Sequence, residues 1–209
     1  MNEKIKLKEE NYEKSLSKIE ITKDKMFLKD RIESIVKIIA LVFTAVTLFF
    51  TYSTYNASQK WKVAEFTALK IKEFSENKSV KIVNKMLDYN TSKISFDDEE
   101  AIFIDDDYVD FSLRVDTIDG TFLDNEVKIR DIFDEYFDQL SLFNRYAKAD
   151  LIKYEEMKPY LIYQVSIIAD TNNLKKSKDF RQRMHTYINY YGFNDVNELY
   201  KNLGYDIGK

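Results

Sequence analysis

Residues Ile38 to Gln59 run for 22 positions without a charged side chain. No other stretch of the chain restricts folding as much. About 20 consecutive apolar residues match the ~30 Å hydrocarbon thickness of a bilayer when they form a helix. Four threonines (Thr44, Thr47, Thr51 and Thr54) and Ser53 dilute the run. Such hydroxyls can bond back to the carbonyl four residues earlier, so a helix in lipid accommodates them. Lys37 closes one end, and Lys60 and Lys62 the other, with Tyr52, Tyr55 and Trp61 where an interfacial aromatic belt lies. The sequence therefore predicts a transmembrane helix over residues 37–59. The competing expectation is a buried helix of a soluble core.

A cleavable leader fits poorly. Thirty-seven residues of mixed charge precede the run, where a short basic segment is expected, and no small-residue cleavage site follows. The segment is expected to persist as a single-pass anchor in the cell (inner) membrane. Orientation is almost balanced under the positive-inside rule: Lys23, Lys25, Lys29, Arg31 and Lys37 lie on one side, and Lys60, Lys62, Lys70 and Lys72 on the other. A cytoplasmic C-terminal domain is expected on functional grounds, because RNA chemistry needs that compartment.

Residues 1–36 read as a charged helix or tail. Ile5, Tyr12, Ile19 and Met26 fall seven residues apart, a single heptad column that would help copies associate. Residues 60–209 are long enough for one domain with its own core. Cysteine is absent, and only four Gly and one Pro occur in 209 residues. Disulfides and Cys-based metal sites are thereby excluded, and a turn-rich β-sandwich or barrel is disfavoured. The expected fold is all-α: the membrane helix, then a bundle of about five or six helices with an acidic irregular insert.

Hydrophobic periodicity places those helices. Val63, Phe66, the Lys70 stem and Phe74 form one face after the span, and Val80, Val83 and Leu87 mark a helix over about 79–89. Ile129, Phe133, Tyr136, Leu140, Phe143 and Ala147 mark a long helix from Asp124 to about Lys153, capped by Asp124 or Asn125. A further helix is expected to open at Lys158-Pro159. Phe180, Met184, Tyr187, Ile188 and Tyr191 predict the next, stopped at Gly192, and Asn194–Leu203 the last.

The net charge of −4 hides an uneven distribution: residues 88–138 carry 17 acidic and 4 basic side chains, while both flanking regions are net basic. Eight acids fall between Asp97 and Asp110, but the EF-hand glycine is missing and Ile102-Phe103-Ile104 interrupts the run, so no metal site is expected. Asp119-Gly120 reads as a turn. P-loop, nucleophile-elbow and zincin patterns are absent, and no small-molecule cofactor is expected.

The lone histidine carries the remaining chemistry. Arg181 and His185 stand at i and i+4, so a helix puts them on one face. Lys175, Lys176, Lys178 and Arg183 make the same segment basic. Phosphodiester cleavage in RNA would use His185 as the proton shuttle and Arg181 on the phosphate. The plainer expectation is that both serve the helix structurally. A second polar set, Arg130, Asp134 and Asp138, follows at i, i+4 and i+8 and continues towards Asn144 and Arg145. It reads either as a solvated face or as an internal network fixing helix register or an oligomer contact.

An Arg and a His a few residues apart near the end of an all-α domain resemble the HEPN superfamily, whose motif is R-x(4–6)-H. Here three residues, Gln182, Arg183 and Met184, separate them. A membrane span followed by such a domain resembles the transmembrane accessory proteins of type VI-B CRISPR loci. The resemblance spans most of the chain. It implies a homo-oligomeric, pore-forming or membrane-perturbing accessory of antiphage defence, with the bilayer and an RNA-guided effector or RNA as partners. The alternatives are a membrane-tethered HEPN-like ribonuclease using Arg181 and His185, and a non-catalytic scaffold at the membrane surface.

Overall fold

The computed structural model describes residues 2–96, 100–115 and 121–205, with side chains from Met26 onward except Phe27 and Asp30. The turn expected at Asp119-Gly120, the acids Asp97, Asp98 and Glu99, and the side chains of Ile5, Tyr12 and Ile19 lie outside the described residues. The fold is all-α apart from one small hairpin. In chain order the elements are α1 (Asn2–Glu76), α2 (Lys78–Asp88), β1 (Thr91–Ile94), β2 (Ile102–Asp105), α3 (Asp106–Ser112), α4 (Asp124–Lys148), α5 (Tyr154–Ala169), α6 (Lys178–Tyr190) and α7 (Asn194–Asn202). The chain divides into two compact units, Met1–Gln59 and Lys60–Lys209.

The first unit is helix alone. Between Arg31 and Tyr55 every residue is exposed, including Phe43 at 74% and Phe49 at 67%. A window of mean hydropathy 2.2 lies there with none of it buried, so this is a helix long and apolar enough to cross a membrane. Thr44, Thr47 and Thr51 donate to the carbonyls of Ala40, Phe43 and Thr47 at 2.8, 2.8 and 2.9 Å. Each hydroxyl is thus satisfied within its own helix, as the sequence predicts.

The second unit wraps its core around α4. The last turns of α1 bury the face anticipated from the sequence: Phe66 stacks edge-on with Tyr146 at 5.4 Å, and Phe74 with Phe143 at 5.4 Å. Asn77 then breaks the helix and caps α2, its side chain accepting from the Val80 amide at 3.1 Å. Asn77 and Ser79 both donate to Glu135 at 2.7 Å. From Lys60 to Asp88 the chain therefore passes along α4 from its C-terminal to its N-terminal end. α5 runs the same way: Thr67 donates to Glu156 at 3.3 Å, whereas Tyr163 donates to Asp88 at 2.5 Å. Ile129, Phe133, Tyr136, Phe137, Leu140, Val165, Met184, Tyr187, Leu199 and Tyr200 are fully buried together.

Three local expectations need correction. The acidic insert is regular in part: Thr91–Ile94 pairs antiparallel with Ile102–Asp105, and α3 follows, capped by Asp105 on the Tyr108 amide at 2.8 Å. Ile104 is the buried member of the apolar triplet, the inward residue of a strand. α5 starts at Tyr154, one turn before Pro159, so the proline sits inside the helix. α4 ends at Lys148, and Asp124 does not cap it: Leu123 is the cap, and the Glu126 carboxylate accepts from the Leu123 amide at 3.0 Å. Gly192 does end α6, with φ +75°.

Candidate functional site

Arg181 and His185 share a face of α6, whose start is fixed by Ser177 accepting from the Phe180 amide at 3.0 Å. Arg181 is 9% exposed. Its Nη1 donates to the carbonyls of Asn173 and Lys176 at 2.5 and 2.6 Å, and Nη2 to that of Thr171 at 3.2 Å. These carbonyls belong to the α5–α6 connection, which has no ladder of its own. Guanidinium geometry suits such a cluster, because its planar fork offers several donors at once.

His185 closes the other end of this connection. Its Nε2 lies 3.1 Å from the Ile168 carbonyl, near the end of α5. A carbonyl only accepts, so Nε2 carries the hydrogen. Nδ1 is buried without a hydrogen-bond partner. Burial holds the imidazole below its ordinary value of 6.5; the Ile168 bond opposes that shift and the charge of Arg181 adds to it. In the half-buried His185 one ring nitrogen is thus engaged and the other enclosed, and the two Nη groups of the neighbouring Arg181 are spent on backbone carbonyls.

The basic segment around them is also engaged. Lys176, 4% exposed, donates to the Tyr89 carbonyl at 2.9 Å and pairs with Asp106. Lys175 pairs with Asp88 at 3.0 Å and meets the Tyr163 hydroxyl at 2.5 Å. Arg183 bonds Asp110 at 3.2 Å. The acidic insert and the basic C-terminal segment, opposite in their expected pull on nucleic acid, thus pair with each other. Burial raises the Asp106 carboxyl despite Lys176. For Asp88, bonds from Tyr163 and Lys175 outweigh burial and hold the carboxyl below its usual range.

The Arg130 set divides. Arg130, 9% exposed, donates Nη1 to the carbonyls of Ser112 and Arg114 at 2.8 and 3.0 Å and Nη2 to the Tyr191 hydroxyl. Phe122 lies between two guanidiniums, 4.1 Å from Arg130 and 4.4 Å from Arg114. Arg114 pairs at 3.0 Å with Glu126, which is 1% exposed. Asp134 accepts from the Tyr187 hydroxyl at 2.7 Å. Burial raises its carboxyl, against the Tyr187 bond and Arg130. Asp138 is exposed on α4 and takes no bond within this network.

Asn144 and Arg145 belong to a separate cluster with α7. Asn144 donates to Asp195 at 2.8 Å and Glu198 at 3.2 Å, and accepts from Tyr154 at 2.7 Å. Arg145 and Lys148 reach Asp195 at 2.9 and 3.1 Å. The Arg145 bond leads the causes that hold the Asp195 carboxyl down at about 2. A further groove of about 280 Å³ lies between α2 and α4, with Phe96 on its wall and Lys78, Lys128, Asp131 and Glu135 around it. Among the described residues no carboxylate and imidazole groups converge as a metal set.

Sequence reading missed Lys176 and Glu126 as buried charges. The signal for Glu126 was its place three residues after a helix start; Lys176 offered none beyond its basic neighbours. No protein-family model, no curated protein and no solved structure matches this chain.

Proposed function

We propose that this chain is a single-pass membrane-anchored, oligomerising accessory protein whose C-terminal helical domain binds a partner and does not cleave RNA. One observation carries the anchor: residues 38–55 are exposed throughout, although the run holds no charged side chain and is mostly apolar. A soluble helix with that surface would lose roughly 25 cal/mol for each Å² of apolar area left in water. A bilayer removes that cost, and Thr44, Thr47 and Thr51, bonded within their own helix, need no water there.

The non-catalytic part of the reading is supported by the Arg181 Nη groups and His185 Nε2, which bond carbonyls among residues 168–176, and by His185 Nδ1, which is enclosed without a partner. It is supported also by the pairing of the basic segment with Asp88, Asp106 and Asp110. Such pairing lowers the local positive potential that phosphate binding needs. The antiphage setting beside an RNA-guided effector belongs to the same proposal and rests on the resemblance to HEPN-like accessory proteins of type VI-B CRISPR loci. Native mass spectrometry of the full chain extracted in detergent tests assembly, and an RNA-degradation assay on the same sample tests chemistry. The expected result is an oligomer that leaves RNA intact. A strict monomer contradicts the assembly, and RNA loss that disappears in His185→Ala contradicts the accessory role.

A further inference from the structure

The second unit has two ends along α4, and the chain enters at one of them. Lys60 lies six residues before Phe66, a rise of roughly 9 Å for an α-helix. Phe66 packs on Tyr146, close to the end of α4 at Lys148. Lys60, Trp61 and Lys62 therefore lie level with the α4–α5 turn. That turn carries an uncovered apolar side chain, Leu151, 46% exposed, beside Asp150, whose φ of +55° sets the chain's reversal. Its neighbour Ile152 is 2% exposed and pins the turn to the core. Trp61 is 77% exposed at the same end.

Building on the membrane-anchor reading above, we propose that Trp61 and the Leu151 turn together dock this end of the domain on the bilayer surface. Residue 60 follows directly on the proposed span, which tethers Trp61 beside the headgroup layer. The chemistry fits that layer. Indole prefers the interface, a leucine at a turn tip buries its branch in the acyl boundary, and lysines keep their charge among headgroups. Lys60 and Lys62, on either side of Trp61 in sequence, and Lys153, two residues after Leu151, are exposed. The opposite end, reached by α2 and α5 at Asp88 and Tyr163, holds the acidic insert and the Arg181 connection. Docking would direct those away from lipid.

The chain has no cysteine, so single-cysteine labelling is unambiguous. The full chain carrying L151C, F49C or L174C is labelled with an environment-sensitive fluorophore. Each is placed in nanodiscs of mixed phosphatidylcholine and phosphatidylglycerol, with and without spin-labelled lipid. Leu174 is 95% exposed in the α5–α6 connection and reports on the opposite end. The expected result is blue-shifted emission at L151C, quenched by shallow spin labels, with neither effect at L174C. F49C should be quenched by deep labels. Quenching at F49C with L151C indistinguishable from L174C overturns the docking while the span stands. No quenching at F49C overturns the span and the docking with it. Circular dichroism of each labelled protein checks that the fold is retained.

Discussion

Two pairs of phenylalanines stand at nearly the same separation in opposite surroundings. Phe49 and Phe50 stand 6.1 Å apart, 67% and 64% exposed. Phe133 and Phe137 stand 6.0 Å apart, both fully buried beneath Tyr136 and Tyr187. Side-chain chemistry is identical, so what differs is the requirement for a covering phase. The core pair is covered by the chain's own helices. The helix pair has no cover from the described residues, as the anchor proposed above requires. Apolar composition alone therefore does not separate a core helix from a span; the fate of its full circumference does.

The sharpest way to break this contrast is a matched truncation. Phe137→Ala removes a ring from a filled core and is expected to destabilise the C-terminal domain by about 3–5 kcal/mol. Phe49→Ala should change the same denaturation midpoint by less than about 0.5 kcal/mol. Equal losses from both would mean that the helix packs into the domain. Next in size is Arg181→Ala, which strips three carbonyls of their donor at a site 9% exposed. A loss of about 1–3 kcal/mol in denaturant unfolding is expected. Arg181→Lys should recover only part of it, because an ammonium cannot reach three carbonyls in a plane.

A pH titration sharpens the same region. The folded imidazole of His185 is held below its ordinary value of 6.5. Below that value the unfolded chain takes up a proton that the folded chain resists, so stability is full above it and declines as pH falls below it. His185→Gln should flatten that part of the stability profile, and an unchanged slope would show that the ring is already hydrated. The smallest effect is expected at Asp195, whose carboxyl is held down at about 2. Its contribution is present above the ordinary carboxylate range and is lost as pH falls towards 2. Being partly exposed, the cluster is worth about 1 kcal/mol at most. Asp195→Asn should lower the thermal midpoint slightly at pH 7 and make no difference below pH 2.

The long elements were legible because burial and period coincide in them. In α4 the 3.6-residue recurrence of Ile129, Phe133, Tyr136 and Leu140 is the core itself. The hairpin was not legible, since two four-residue strands among carboxylates leave too little alternation to read. Pro159 misled for a related reason. A proline suits a first turn, but here Tyr154 and Met157 already pack against the core and extend the helix backwards past it. Of the candidate residues, the i, i+4 relation of Arg181 and His185 was correct geometry, but their partners are carbonyls of a connection whose path no spacing encodes. Arg130 and Asp134 do enter one polar network, whereas Asn144 and Arg145 turn to α7, because a stripe that drifts around a helix meets a different neighbour after three turns. The mutual pairing of acidic insert and basic segment is a tertiary fact: charge blocks in a sequence say nothing about which of them will touch.

In the proposed anchor, lipid is the phase that covers Phe49 and its neighbours. Alkaline carbonate extraction of cell membranes containing the full chain tests this most directly, because it strips proteins held by surface contacts and leaves spanning helices in place. The chain is expected to stay in the membrane pellet until detergent is added. Recovery of folded, unaggregated chain in the aqueous supernatant would contradict the anchor.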